Sequence, residues 1–446
     1  MELEITSTSS EGSGVGRVDG FVVFVPNAVE GEKIVAQILK VQKNYAFGKV
    51  DKILLSSPAR IIPDCPVYQT CGGCVFRHIT YEEELRVKEQ RVRDAMKRIG
   101  GLDFPIESIV GAEHPDRYRN KAQLPVGRNK EGMLQIGFFA PRSHTIINNR
   151  DCLLQPKLFE KAVNVVADWM ENYKIPVYDE KSHMGLIRHL YFRIAEMTGQ
   201  VMVTLVANGT SLPHQSELVN ALKQQVEGLT SVILNQNTEK TNVILGQTCI
   251  PLWGEDKIID ILCGLKFVLS PLSFYQVNRS QAEKLYAKAA DYAGLKGTET
   301  VLDLYCGTGT IGLSMAKNAA KIIGVEVIPE AVKDAEINAQ QNQIHNAAFI
   351  CEDAAVAAEM LLQKGVTPDV IILDPPRKGC EPSLIETVVS LNPAKIVYVS
   401  CDPATLARDL SLFDQSGYKA MRATPFDMFP RTGHVECVVL MSRGNI

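Results

Sequence analysis

Cysteine is the residue type in this chain that is best suited to covalent chemistry, and Cys401 has the most informative surroundings. It ends a predicted strand over residues 395–401, Ser400 precedes it, Asp402 and Pro403 turn the chain, and Thr405 can cap the helix that follows. A cysteine thiolate is a soft nucleophile that forms at accessible pH. Cys401 is therefore a candidate nucleophile, although a cysteine at a strand end is more often inert.

Three further cysteines are spaced for metal binding. Cys65, Cys71 and Cys74 follow one another with five and then two residues between them, and two glycines separate the last pair. Thiolates at such spacing can converge on one metal centre, which needs a fourth ligand from elsewhere. An iron–sulfur cluster, a zinc ion and a cysteine knot without metal all remain open.

A glycine turn follows the apolar strand predicted at residues 301–305. Gly307, Gly309 and Gly312 precede a helical pattern, so backbone N–H groups can approach a nucleotide-like ligand. The next predicted strand ends at Glu326, where a ribose diol would need an acceptor. This glycine pattern alone is common to nicotinamide, flavin and S-adenosylmethionine binders.

The elements that must position these residues alternate between strand and helix from about residue 267 onward. Such alternation predicts an α/β domain with a doubly wound parallel sheet, in which ligands bind at the carboxyl ends of the strands. Polar residues occupy the predicted carboxyl ends, namely Asp303, Tyr305, Glu326, Asp353 and Asp374.

Two other regions precede this domain. Residues 1–57 alternate short apolar runs with glycine-containing turns, which predicts a small antiparallel β-barrel rich in lysine. Residues 58–266 mix strand and helix signals and predict an α+β domain. Within it, the charged residues 81–100 are typical of a solvated helix face, although this helix could instead pack on the C-terminal α/β domain. Tyr118 in the basic segment 117–126 could offer a stacking surface for a base.

Four motifs of the C-terminal half carry a family resemblance. They are Phe-Tyr-Gln-Val-Asn at 274–278, Asp-Pro-Pro-Arg at 374–377, Ser-Cys-Asp-Pro at 400–403 and Gly-His-Val-Glu at 433–436. In this order they resemble the class I RNA 5-methyluridine methyltransferases, which depend on S-adenosyl-L-methionine. The N-terminal segment resembles the TRAM domain, an RNA-binding barrel.

The resemblance implies roles for particular residues. Cys401 would add to carbon 6 of a uracil, carbon 5 would then take the methyl group, and Glu436 would remove the proton left on carbon 5. The cofactor would be bound by Gln276, Tyr305, Glu326 and Asp374, with Asp353 a weaker candidate for the adenine amino group. Asp402 stands where many relatives have Asn, and a carboxylate there should raise the pKa of the neighbouring thiol.

The resemblance also implies a metal site and a substrate. Cys65, Cys71 and Cys74, with Cys152 as the fourth ligand, would hold one [4Fe-4S] cluster, as in the branch of the family that acts on 23S rRNA. Barrel and cysteine site together favour 23S rRNA over tRNA. The alternatives are the same chemistry on tRNA, a non-catalytic RNA-binding protein, and a cluster-containing oxidoreductase that uses a nicotinamide or flavin nucleotide.

Composition is consistent with these expectations. The 446 residues are 46% hydrophobic and 22% charged, with a formal net charge of −4, and the 11 cysteines are an odd number that argues against a disulfide framework. The sequence shows neither an N-terminal apolar signal region nor a run of apolar residues long enough to span a membrane. We therefore expect a cytoplasmic protein that needs RNA but no membrane and no obligate protein partner.

Overall fold

The computed structural model describes residues 1–443. Within this range, none of the helices combines the length and the apolar character that a bilayer crossing requires. The chain forms a small barrel, a central seven-stranded sheet with helices on it, and a second seven-stranded sheet that is doubly wound. This is the fold class that the sequence predicts.

The N-terminal barrel is closed in the order β1-β2-β3-β5-β4. Its pairs are antiparallel except for β3 and β5, which run parallel. The prediction of an all-antiparallel barrel was wrong in this detail, because strand directions cannot alternate all the way around a closed ring with an odd number of strands. The strands are β1 (Glu2–Thr8), β2 (Gly14–Val18), β3 (Phe21–Val25), β4 (Lys33–Val41) and β5 (Tyr45–Leu55).

A cysteine-bearing segment with the short helix α1 (Tyr68–Cys71) leads into helix α2 (Tyr81–Ala95), which continues as a π-helical turn over Met96–Gly100. The sequence left two interpretations of this charged helix, a solvated face or packing on the C-terminal domain, and the structure has the packed arrangement. Lys88 Nζ lies 2.7 Å from Glu84 Oε1 and 2.7 Å from Asp427 Oδ1, and at most 1% of each of the three side chains is exposed. The charges instead join α2 to the loop that precedes the last strand.

The central sheet has the order β12-β11-β10-β9-β6-β7-β8. Strands β9 and β10 are almost wholly buried, because helices α3 and α4 pack against the sheet. The elements are β6 (Lys121–Arg128), β7 (Leu134–Phe139), β8 (Ile146–Asn148), α3 (Lys157–Asn172), β9 (Ile187–Ile194), β10 (Val201–Ala207), α4 (Gln215–Gln225), β11 (Leu229–Gln236) and β12 (Thr248–Gly254), followed by the hairpin of β13 (Ile258–Leu262) and β14 (Leu265–Leu269).

The second sheet has the order β17-β16-β15-β18-β19-β21-β20. Helices cover both faces, and the strand order reverses between β15 and β18, which is where such sheets bind their ligands. The elements are α5 (Arg279–Ala293), β15 (Thr300–Leu304), α6 (Thr310–Met315), β16 (Lys321–Glu326), α7 (Pro329–Gln341), β17 (Ala347–Cys351), α8 (Ala354–Gln363), β18 (Val370–Leu373), α9 (Pro382–Ser390), β19 (Lys395–Ser400), α10 (Pro403–Gln415), β20 (Tyr418–Phe426) and β21 (Glu436–Arg443).

Strand β21 departs from the parallel arrangement. It pairs antiparallel with both β19 and β20. The connection from β20 to β21, residues 427–435, is shorter than the dozen or more residues that a parallel crossover needs. This reversal sets the geometry of the candidate site.

Candidate active site

Cys401 and Glu436 are brought together by the pairing of two strands. In the antiparallel register of β19 and β21, Ser400 lies opposite Cys437. Cys401 follows Ser400 directly, and Glu436 precedes Cys437 directly, so the next opposed positions hold the thiol and the carboxylate. The two residues are 35 positions apart in the chain but are neighbours at one edge of the sheet.

The environment of Cys401 disfavours its thiolate in the free protein. Burial, followed by the nearby carboxylates of Glu436 and Asp374, raises the pKa of Cys401 to about 11. The positive charge and hydrogen bond of Arg377 act in the opposite direction and lower this pKa. Arg377 is thus the group that favours the thiolate.

The two carboxyl groups beside the thiol are also perturbed. Burial first, and the charge of Asp374 second, raise the pKa of Glu436 to about 8, and Arg377 lowers it. Burial raises the pKa of Asp374 to about 7. A carboxyl group with a pKa near the working pH suits a general base, because it is a stronger base than an exposed carboxylate and still ionises.

Asp402 does not affect the thiol in the way that the sequence suggested. Its Oδ1 accepts hydrogen bonds from Ala404 N at 3.0 Å, Thr405 N at 3.0 Å and Thr405 Oγ1 at 2.9 Å, which makes it the N-terminal cap of α10. Burial raises its pKa but the bonds from Thr405 and Ala404 prevail, so the pKa is lowered. Capping the helix requires only an oxygen that accepts hydrogen bonds, which Asn would also supply. The carboxylate that raises the pKa of the Cys401 thiol most is Glu436.

The glycine turn after β15 has the backbone conformation expected of a nucleotide-binding loop. Gly307 and Gly309 have φ values of 56° and 81°, in the left-handed region that favours glycine. A Cβ atom at Gly312 would lie 2.8 Å from Asp303 Oδ2, which accepts a hydrogen bond from Gly312 N at 2.9 Å. The turn therefore requires glycine for conformation and for close approach.

Two carboxylates hold this turn. Glu326 accepts from Gly307 N at 3.1 Å and from Ile328 N at 2.9 Å, so its carboxylate lies beside the glycines. Asp303 is buried, and its Oδ1 has no hydrogen-bond partner. Burial raises the pKa of Asp303 to about 7. An unpaired buried oxygen beside the turn is a ready acceptor for a ligand donor.

The remaining predicted cofactor residues surround the same strand ends. The backbone oxygen of Gln276 accepts from Asn120 Nδ2 at 2.9 Å. The hydroxyl of Tyr286 lies 3.1 Å from Thr310 Oγ1, at the start of α6. Tyr305 follows β15 with a φ of 68°, an unusual value for a tyrosine that recurs at ligand sites. Asp353 caps α8 through Ala355 N at 2.9 Å.

Cys65, Cys71, Cys74 and Cys152 line one cavity of about 150 Å³. Burial raises the pKa of Cys74 to about 12, so this thiol stays neutral unless a cation is present. Among residues 1–443, no three His, Cys, Asp or Glu side chains converge tightly enough to hold one metal ion.

The cavity wall also carries positive charge. Arg119 lines it, and its buried Nε has no hydrogen-bond partner. Arg77 lines it as well and forms ion pairs with Asp64 and Asp116. An unpaired buried donor indicates that an acceptor belongs in this cavity.

Tyr118 and the barrel differ in the aromatic surface that they offer to a base. Tyr118 is only 7% exposed and donates to Pro430 O at 3.0 Å, so it offers no stacking surface, and that prediction was wrong. The barrel does expose aromatic rings. Phe24, Tyr45 and Phe47 form a cluster with ring centroids 5.4 to 6.0 Å apart.

Three contributors were missed from the sequence. Arg377 lies within the Asp-Pro-Pro-Arg motif, but no role of its own was predicted for it from the sequence. Its Nη2 is 3.0 Å from His434 Nδ1, so it connects this motif to the Gly-His-Val-Glu motif. Asp303 was noted at a strand end, but nothing in its neighbours predicts an unpaired oxygen. Tyr286 lies on an ordinary amphipathic helix, α5, and gives no sequence signal.

Comparisons with known proteins show the family of this chain. Residues 80–444 match the family model described as tRNA (Uracil-5-)-methyltransferase, and residues 1–50 match the TRAM domain. An uncharacterized RNA methyltransferase of Clostridium tetani is 48% identical over 440 residues, covering 99% of this chain and 95% of the relative. One from Caldanaerobacter subterraneus is 46% identical over 442 residues, covering 99% and 98%.

A solved structure matches along the whole chain. It is the Pyrococcus abyssi tRNA (uracil-54, C5)-methyltransferase in complex with S-adenosyl-L-homocysteine, with 27% identity, a TM-score of 0.79, and coverage of 99% of this chain and 100% of that one. Fold and matches together define an S-adenosylmethionine-dependent RNA methyltransferase. More narrowly, the chain belongs to the tRNA (uracil-5-)-methyltransferase family, with an N-terminal TRAM domain.

The effect of the Glu436 charge on the pKa of Cys401 can be tested by the rate at which this thiol is alkylated. At pH 9, above the pKa of about 8 of Glu436, the wild-type carboxylate is charged and raises the pKa of Cys401. Glu436→Gln removes this charge, so iodoacetamide should alkylate Cys401 about threefold to tenfold faster, by the size of charge effects on pKa. Mass spectrometry of the peptide that contains Cys401 measures the rate.

Asp402→Asn is the matched control for this experiment. It keeps the cap oxygen and should change the alkylation rate less than about twofold, since the Asp402 carboxylate is bound to the helix terminus. Equal rates for Glu436→Gln and the wild type, or a larger effect of Asp402→Asn, would show that the pairing is wrong.

Proposed function

We propose that this protein methylates carbon 5 of a specific uridine in 23S rRNA through a covalent adduct between Cys401 and carbon 6 of the base. The observation that carries the proposal is the opposition of Cys401 and Glu436 across the β19–β21 pair, at the strand ends where the glycine turn also lies. A relic fold or a dehydrogenase would have no use for this pair.

The chemistry assigns each group a task. Carbon 5 of uracil is a weak nucleophile until a thiolate adds to carbon 6, so Cys401 must first lose its proton. Arg377 favours the thiolate by its charge and hydrogen bond. After carbon 5 has received the methyl group, Glu436 removes the proton from carbon 5, and the electrons of that C–H bond expel the sulfur. The thiol and the uracil double bond are then restored.

S-adenosyl-L-methionine, when bound, supplies an electrophilic methyl group. Glu326 would accept from the ribose hydroxyls, since each of its oxygens uses only one acceptor position on a backbone N–H. Gln276, Tyr305 and Asp374 would line the rest of the cofactor site. Asp303, with its unpaired Oδ1, is a further candidate that the sequence did not indicate.

The four cysteines that line one cavity support a [4Fe-4S] cluster held by Cys65, Cys71, Cys74 and Cys152. Methyl transfer moves no net electrons between enzyme and substrate, so we assign the cluster a structural role. It would connect the segment around α1 with the loop after β8. Arg117 reinforces that loop, because its Nη1 donates to Cys152 O and to Gln155 O, each at 3.0 Å.

The substrate assignment rests on the presence of both the barrel and the cysteine site, a combination that favours 23S rRNA. The rival is tRNA, because the structural match along the whole chain is a tRNA methyltransferase with 27% identity. The exposed aromatic cluster of the barrel fits single-stranded RNA in either case, since unpaired bases stack on such rings.

The substrate can be decided in cells. In a strain that lacks the gene, 5-methyluridine should disappear from 23S rRNA and persist in tRNA, as mapped by mass spectrometry of nuclease digests. The wild-type gene should restore the mark, and Cys401→Ala should not. Loss from tRNA instead would make tRNA the substrate and leave the chemistry standing.

Glu436→Gln should trap the reaction after methyl transfer, because carbon 5 then keeps its proton and elimination cannot occur. With RNA and S-adenosyl-L-methionine, the variant should give a protein–RNA band that survives a denaturing gel. Glu381→Gln, which alters an exposed carboxylate on the loop before α9, should give none beyond the wild-type level. A folded Glu436→Gln variant that turns over normally would transfer the base role to another residue.

Protein purified without oxygen should be brown and contain about four irons per chain, as four thiolates hold one cubane cluster. Cys152→Ser should lose most of the iron. Cys351→Ser should retain it, because Cys351 is exposed at the end of β17 and does not line the cavity. Colourless protein with one zinc, or full iron in Cys152→Ser, would contradict this assignment.

A further inference from the structure

The central sheet contains a cavity of about 680 Å³ that the proposed reaction does not use. It lies between the β6–β7 hairpin, the segment before β8, and residues 177–181, with Arg188 and His189 of β9 at its base. Its volume is within the range of small-ligand sites. The cavity therefore has room for one nucleotide.

Aromatic rings form part of its wall. The rings of Phe139 and His144 lie 5.1 Å apart at a tilt of 40°, and the ring of His189 lies 6.4 Å from Phe139 in an edge-on arrangement. His144 is exposed, and its Nδ1 lies 2.6 Å from Glu180 Oε2. Such rings can receive the face of an unpaired base.

Two largely buried polar side chains, His189 and Arg188, lie at the base of the cavity. His189 is 8% exposed, and its buried Nδ1 has no hydrogen-bond partner. Arg188 is 6% exposed and donates to the backbone oxygens of Asn237, Glu239 and Thr241 at 2.7 to 2.9 Å. Within the part of the chain that is described, no carboxylate forms an ion pair with Arg188, so its positive charge is uncompensated.

The rim adds two cations. Lys130 and Lys181 are both exposed and line the cavity. The acidic residues nearby are engaged locally, since Asp179 accepts from Ser182 N at 2.7 Å and Glu180 contacts His144. The lining holds four cationic side chains against two carboxylates, so its net charge is positive, as a phosphate would require; the cations are Arg128, Lys130, Lys181 and Arg188, and the carboxylates are Asp179 and Glu180.

Strand β6 connects this cavity to the cofactor loop. Asn120, just before β6, bonds to Gln276 O, whereas Pro125 to Arg128 near its other end line the cavity. At roughly 3.3 Å per residue, the cavity lies about 20 Å from Gln276. A groove lined by Cys71, Gln123 and Phe139 adjoins it on the side of the cysteine cavity.

We propose that this cavity binds one unpaired nucleotide of the substrate RNA, distinct from the target uridine. The base would stack on Phe139 and His144, the Nδ1 of His189 would bond to a base edge or a ribose, and Arg188, Lys130 and Lys181 would attract the phosphates. The proposal rests on the proposed function only in taking RNA as the ligand.

The test uses the full-length protein and a fluorescently labelled single-stranded RNA 12-mer of mixed sequence, with its duplex as a second probe. Lys130→Glu combined with Lys181→Glu should weaken binding of the single strand about tenfold, measured by fluorescence anisotropy. The slope of log affinity against log salt should fall by about 1.4, the value for two lost phosphate contacts. Lys161→Glu combined with Lys284→Glu is the matched control, since both lysines are exposed and lie outside the cavity.

A second variant tests the stacking. His144→Ala should weaken single-strand binding about fivefold, leave the salt slope unchanged and leave duplex binding unchanged, because only an unpaired base can reach the ring. Equal affinities for the cavity and control double variants, or equal losses for single strand and duplex, would overturn the proposal.

Kinetics separate this site from the reaction itself. With methylated RNA as the readout, the cavity double variant should raise KM for RNA about tenfold and leave kcat and the KM for S-adenosyl-L-methionine within twofold. Wild-type protein that methylates no RNA would refute the proposed function, while the anisotropy would still report on the cavity. Normal methylation with an unchanged KM for RNA in the variant would refute the cavity alone.

Discussion

The antiparallel register between β19 and β21 is the constraint on which the candidate site depends. Because side chains alternate along a strand, a slip of one residue would turn Glu436 away from Cys401 and toward the opposite face. The register is supported on both sides, since β21 also pairs with β20 along its whole length. The loop that enters β21 is held in turn by Lys88 and Glu84 of α2, through Asp427 and the backbone N–H of Arg431. A helix outside the doubly wound sheet thus helps to position the carboxylate.

Burial is the main electrostatic influence at the strand ends. It raises the pKa of Cys401, Asp374, Glu436 and Asp303, which are all groups that become more costly to ionise away from water. Arg377 is the cation that opposes this trend at Cys401 and Glu436. In the free protein the Cys401 thiol is therefore protonated at neutral pH, and its thiolate must form for the chemistry to begin.

Much of this architecture could be predicted from the sequence because it depends on local patterns. Alternating strand and helix signals predicted the doubly wound sheet, and the glycine spacing predicted the turn that contacts Asp303 and Glu326. Motif order indicated Cys401 and Glu436, but their opposition could not be derived from spacing, since it depends on β21 inserting between β19 and β20. The burial of individual side chains by distant parts of the chain could not be predicted either. Lys88 and Tyr118 look solvent-exposed in sequence, yet partners more than 300 positions away bury them.

The ion network of Glu84, Lys88 and Asp427 also restricts how the protein can diverge. Replacing Lys88 alone leaves two buried carboxylates without the cation they share, which costs about 3–5 kcal/mol, whereas replacing all three by well-packed apolar side chains can be neutral. The charged network and its apolar replacement can thus have similar stability, whereas a protein that has lost only Lys88 is strongly destabilised. Few single substitutions are therefore tolerated at these three positions. Residues that never touch RNA can in this way be as slow to evolve as the nucleophile itself.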